Sequence, residues 1–106
     1  MAKAEIFAGK CGFTTVVEAI QTDNEHINVT VTSACKSCQK LGAALSEMEV
    51  DPLREISHRG EGSLILQMAQ QYLSHPACPV PAGIIKAVEI AAGFALPADA
   101  SIKLSA

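Results

Sequence analysis

The sequence predicts an α+β fold, a three-stranded antiparallel sheet followed by three to four helices packed on one face of it. Three observations carry that expectation. Residues 3–33 hold short stretches that alternate with period two or are rich in β-branched residues, separated by glycine and by polar residues. From Cys35 onward the apolar residues recur at helical spacing instead. Strand signals thus come first and helix signals after, the order expected when helices segregate to one side of a sheet.

Lys3 to Gly9 reads as the first strand, with Ala4, Ile6 and Ala8 alternating against Glu5 and Phe7. Gly9-Lys10-Cys11-Gly12 is a turn, because its two glycines can supply positive φ. Phe13 to Gln21 carries Thr14, Thr15, Val16, Val17 and Ile20 and reads as the second strand. Thr22-Asp23-Asn24-Glu25 is a polar hairpin loop. Ile27, Val29, Val31 and Ser33 then alternate with Asn28, Thr30 and Thr32, which makes a third strand with one apolar and one threonine-rich face.

Cys38, Leu41, Leu45 and Met48 fall on one helical line, so Lys36 to Met48 is a helix. Asp51 then caps a short helical turn that opens on Pro52 and runs through Ile56. Ser57 to Gly62 is a loop. Ser63 caps a third helix with Leu64, Met68 and Tyr72 on one line and Ile65, Ala69 and Leu73 on the next; it ends near Ser74, because Pro76 disfavours helical geometry at His75. Pro81 sits in the first turn of a last helix whose buried stripe is Ile84, Ile85, Val88, Ala91 and Ala92. Gly83 and Ala87 let that helix approach a neighbour closely, and Pro97 closes it. Ser101 to Leu104 alternates and reads as a final edge strand or a tail.

The 106 residues fit a single domain, 1–106, with 49% apolar residues and only three Phe and one Tyr. A formal charge of -3 without a Lys/Arg cluster argues against nucleic acid or an anionic membrane as partner. Glu5 and Lys10 interrupt any signal-peptide core. No apolar run approaches the ~20 residues of a membrane span. The expected compartment is the cytoplasm, where clustered cysteines more often mean metal or catalysis than disulfides.

Three of the four cysteines stand at breaks between elements. Cys11 lies in the glycine turn, Cys35 where the third strand gives way to a helix, and Cys78, framed by Pro76, Pro79 and Pro81, just ahead of the last helix. Helix N-termini favour a thiolate through the dipole and the free N–H groups. Junctions at one end of a small α+β domain can converge, so Cys11, Cys35 and Cys78 are expected to form one thiolate site for zinc or an iron–sulfur cluster. Cys38 and His75 compete as the fourth ligand. The competing reading is that the cysteines are inert apolar fillers. A thioredoxin-type pair at Cys35 and Cys38 fits the strand-to-helix placement only in part, because no parallel crossover follows. His26, His58, Asp51 and Glu55 show no catalytic pattern, Asp51 being explained as a cap, and neither a Gly-x-Ser-x-Gly run nor a P-loop occurs.

The order strand, Cys11-Gly12, two strands, Cys35, helices, His75, Cys78 and an Ala/Ile-rich last helix resembles the iron–sulfur scaffold family of IscU and the NifU N-terminal domain over roughly Glu5 to Ala92. By position, Cys11, Cys35 and Cys78 match the scaffold's three cysteines, and His75 stands in for its histidine. The resemblance implies a three-stranded sheet covered by helices and a bound zinc or iron–sulfur cluster. The scaffold's acidic residue is replaced by Phe13, its His-Cys pair is opened to His75-Pro76-Ala77-Cys78, its chaperone-recognition run is absent, and Cys38 is an addition. Nearer in wording, the chain is similar to small proteins of anaerobic microbes that share Cys-Gly-Phe and Ala-Cys-Pro-Val-Pro runs, a group without a settled function.

The expected function is therefore a small cytoplasmic metal or iron–sulfur binding protein, a carrier, scaffold or accessory subunit, more a binding protein than an enzyme. Its partners would be sulfur-transfer or cluster-acceptor proteins. Two alternatives stand beside it: a sulfur carrier in which Cys78 accepts a persulfide, and an interaction module that forms a homo-oligomer through its last helix.

Overall fold

Alternation decides the sheet. In the computed structural model, which describes residues 1–106, strand β1 (Ala2–Phe7) turns Ala2, Ala4 and Ile6 inward and leaves Lys3, Glu5 and Phe7 exposed. Strand β2 (Thr14–Gln21) pairs antiparallel with both neighbours, Ala4 opposite Val17 and Val17 opposite Val31, giving the order β1-β2-β3. Thr15, Val17 and Ala19 of β2 and Ile27 and Val29 of β3 (Ile27–Ser33) are buried on the same face. The α+β class expected from the sequence is the one observed, with four helices after the sheet.

Helix α1 (Lys36–Ser46) packs on β3, and α4 (Val80–Ala91) packs on β1 and β2. Between them sit α2 (Pro52–Ile56) and α3 (Leu64–Tyr72), joined by a 3-10 turn at His58–Gly60. One apolar core joins the inner sheet face to Leu41 and Leu45 of α1, Ile65 of α3, and Val80, Ile84, Ala87 and Val88 of α4.

Helix α1 stops two residues before Met48 because the chain must swing back to the sheet. Val50 exchanges both backbone hydrogen bonds with Ile27, each 2.8 Å, and so covers part of the outer edge of β3. The expected caps are in place: the Leu53 N–H donates to Asp51 Oδ1 (3.0 Å) and the Leu66 N–H to Ser63 Oγ (3.1 Å).

Two expectations fail at the C-terminus. Pro97 does not close the last helix; Gly93 does, in a left-handed conformation (φ 81°), with the Phe94 N–H reaching back to the Glu89 carbonyl at 2.9 Å. That is a Schellman stop, which satisfies the helix's last carbonyls before Pro97 is reached. Ser101 to Leu104 forms no edge strand. Ile102 and Leu104 are 79% and 89% exposed, and no strand pairs with them, so their alternation has no sheet to express it.

Glu55 is a buried acid that no local sequence pattern announces. It is 2% exposed and accepts three hydrogen bonds, from Ser63 Oγ (2.9 Å), the Leu64 N–H (2.9 Å) and the Ile65 N–H (2.7 Å). With Ser63 Oγ holding the Leu66 N–H, the first turn of α3 keeps no orphan donor. The carboxylate faces the positive end of the helix and is fully bonded, the condition under which burying a charge is tolerable.

Two predictions follow from this packing. A Cβ on Gly42 would lie 2.8 Å from Val31 Cβ and 3.2 Å from the Val31 carbonyl oxygen, whereas one on Gly83 would meet the flexible end of Ile6. Gly42→Ala is expected to destabilise by about 2–3 kcal/mol and Gly83→Ala by less, in urea unfolding. Equal losses would contradict the rigid approach at Val31. Glu55→Gln places an amide donor among three donors and is expected to cost about 1–3 kcal/mol; an unchanged urea midpoint would show that the carboxylate network contributes little.

Candidate functional site

The sheet ends and the helices begin at the same end of the molecule, and a cavity of about 300 Å³ opens there. All four cysteines and His75 line it. They come from three separate segments, the β1–β2 turn, the β3–α1 junction and the α3–α4 loop. The structure therefore gathers every residue singled out from the sequence as a ligand candidate.

Each segment is shaped by local chemistry. The turn that carries Cys11 is closed by the Ala8 N–H to the Phe13 carbonyl (3.0 Å) and the Gly12 N–H to the Gly9 carbonyl (2.8 Å), with both glycines at positive φ. It leaves Cys11 exposed. At the end of β3, Ser33 Oγ accepts from the Thr15 hydroxyl (2.8 Å) and from the Cys35 N–H (3.1 Å), and Gln39 Nε2 donates to the Ser33 carbonyl (2.8 Å). These bonds end the strand and start α1 with Cys35 as its N-cap residue, in extended geometry. In the third segment the Cys78 N–H closes a turn onto the His75 carbonyl (3.2 Å), and Ser74 Oγ meets Ser37 Oγ at 3.0 Å, which ties this loop to the first turn of α1.

Cysteine thus occupies a position that Ser, Thr, Asp or Asn usually fill. No side-chain hydrogen bond of ordinary geometry caps α1. The backbone N–H of Cys38 nevertheless faces the Cys35 sulfur and, against the opposing effect of burial and with help from the Cys38 thiol and the Ser37 N–H, holds the Cys35 pKa below the ordinary thiol value. Cys38 behaves oppositely. It is 2% exposed, and burial, reinforced by its bond to Cys35 and the charge there, pushes its thiol up to about 11. A hydrogen bond with Thr15 works weakly the other way.

Apolar walls surround this polar core. Ala8 and Phe13 stand beside Cys11, and Leu73 and Val80 flank the Cys78 turn. The cysteines are free thiols. No three of these sulfurs and the His75 nitrogens lie within 4.8 Å of one another. The one trio in the molecule that does is Asp23, His26 and Glu49, on the surface away from the cavity. There His26 Nδ1 lies 3.0 Å from both Asp23 oxygens, which raises the His26 pKa, while the Glu25 N–H and His26 lower that of Asp23. The trio has no local sequence signal, because Glu49 reaches Asp23 and His26 only through the Ile27–Val50 bridge.

Thr15, Ser37 and Ser74 also line the cavity and were missed. Only the inward phase of β2 could have pointed to Thr15; Ser37 and Ser74 meet across 37 residues and carry no local signal.

The split between the two α1 cysteines is testable. Iodoacetamide labelling followed against pH is expected to modify Cys35 below the ordinary thiol range and to leave Cys38 untouched until near pH 11. Parallel profiles for the two residues would mean that the helix N-terminus does not discriminate between them.

The model of the family described as "Family of unknown function (DUF6951)" matches residues 2–104. No curated protein and no solved structure matches the chain.

Proposed function

The chain belongs to that family, and from its cysteine-lined cavity we propose that it is a small metal- or iron–sulfur-binding protein, a carrier, scaffold or accessory subunit. The observation that carries the reading is the convergence of Cys11, Cys35, Cys38, Cys78 and His75 from three segments on one cavity. Inert filler cysteines have no reason to gather so.

The donor set fits a cluster better than a single ion. Zn–S bonds of about 2.3 Å put the sulfurs of a tetrahedral site about 3.8 Å apart. The donors here are more widely spread, with no trio inside 4.8 Å. An iron–sulfur cluster offers different irons to different thiolates and so takes ligands from more distant walls. Cys11, Cys35 and Cys78 are the three proposed ligands, with either Cys38 on the buried side or His75 on the exposed side as the fourth. The resemblance of the cysteine order to that of the IscU and NifU scaffold family points the same way. Apolar walls would shield a cluster from water, and the N–H groups at the start of α1 favour anionic sulfur. As proposed partners, sulfur-transfer or cluster-acceptor proteins would find Phe7 and Phe13 exposed beside the Cys11 turn.

Anaerobic purification with iron, zinc and sulfide analysis tests this. Expected are bound iron with sulfide, or stoichiometric zinc, lost in Cys35→Ser and Cys78→Ser. Metal at 100 times its dissociation constant should add about 2.7 kcal/mol of stability, which moves the Tm by roughly 10 °C. A metal-free protein whose Tm ignores both iron with sulfide and zinc would refute the proposal.

A further inference from the structure

Cys35 and Cys38 are not equivalent walls of the cavity. They stand at the N-cap and in the first turn of α1, three residues apart, where helix geometry puts the Cα atoms about 5 Å from one another. A disulfide bridges Cα atoms roughly 4.4–6.8 Å apart. Neither backbone segment would have to move far to close the pair. Cys35 is half-buried at the cavity, whereas Cys38 sits behind it, almost wholly buried. Cys78 lines the same cavity from a separate loop, which the Ser37–Ser74 hydrogen bond ties to the first turn of α1.

We infer that this pair performs thiol–disulfide exchange with a low-molecular-weight disulfide, Cys35 as the attacking sulfur and Cys38 as the resolving one. The sheet is antiparallel throughout, so the reaction needs no βαβ crossover, only a strand that stops at a helix start with one accessible and one covered thiol. The cavity, about 300 Å³ with apolar walls, has room for the sulfur end of a small disulfide.

The steps balance. The Cys35 thiolate attacks one sulfur of R–S–S–R, the S–S bond breaks, and RS⁻ leaves. The Cys38 thiol gives its proton to that leaving thiolate and attacks the Cys35 sulfur, expelling the second RS⁻. The protein dithiol is oxidised by two electrons, and the small disulfide is reduced to two thiols. The exchange stands independently of metal binding. Where the cavity does hold metal, the oxidised pair removes a proposed ligand, so the same reaction would release the cargo.

The experiment uses the full chain, stripped of metal by a chelator, with oxidised glutathione as the probe. After an acid quench and alkylation, mass spectrometry is expected to find one disulfide joining Cys35 to Cys38, with Cys11 and Cys78 alkylated, all reversed by dithiothreitol. In Cys38→Ala a glutathione adduct of about 305 Da should accumulate on Cys35. If that buried substitution fails to fold, the order of events in the unaltered protein decides instead, through an early adduct on Cys35 that gives way to the disulfide. A first adduct on Cys78 or Cys11, a disulfide from Cys35 to Cys78, or a stable Cys35 adduct that Cys38 never resolves would each overturn the inference. Because no metal is present, none of these results bears on metal binding, and a metal-free purification would leave this reaction untouched.

Discussion

The cysteine end of the molecule depends on how β3 stops. A strand of alternating Val and Thr has no intrinsic reason to end at Ser33. It ends because the Ser33 hydroxyl accepts both the Thr15 hydroxyl from the neighbouring strand and the Cys35 N–H from two residues ahead. The second bond is the local side-chain-to-backbone type that competes with sheet pairing. The first ties the break to β2. Gln39, one turn into α1, then holds the Ser33 carbonyl. Three hydrogen bonds turn the chain from sheet to helix, put Cys35 at the helix start, and send Cys38 beneath it.

Tight packing keeps that geometry. Gly42 lets α1 lie against Val31, and Gly83 lets α4 lie against Ile6, so the two helices meet the sheet at nearly backbone distance. The smaller helices α2 and α3 are locked to one another by the buried Glu55, whose carboxylate serves as a second cap for α3. The Cys78 loop leaves from the end of α3, where Leu73 turns extended. A core of Val, Ile, Leu and Ala without large aromatics therefore holds three loop ends around one cavity.

Much of this was legible locally. The change of period at Ser33 marks the sheet-to-helix transition, and Asp51-Pro52 and Ser63 announce their helices because capping is a contact within a few residues. The misses have a common cause. Met48 continues the helical stripe of α1, yet Val50 is drawn to Ile27 and the helix yields. Ile102 and Leu104 alternate like a strand, but alternation signals a strand only where a partner edge exists, and none meets them. Gly93 was available as a stop and was passed over for the more conspicuous Pro97. Glu55 looked like any surface acid, since nothing within its own helix says that Ser63, Leu64 and Ile65 will close over it.

The candidate site divides along the same line. The sequence alone determined the cysteines' local settings, namely a glycine turn for Cys11, a helix start for Cys35 and a proline-framed turn for Cys78, because backbone conformation follows from nearest neighbours. That the three settings face one cavity, that Cys38 lies beneath Cys35, and that the sulfurs stand too far apart for a preformed tetrahedral ion were decided only by tertiary structure. Those relations depend on how closely α1 and α4 approach the sheet, and that approach is set by contacts between residues dozens of positions apart.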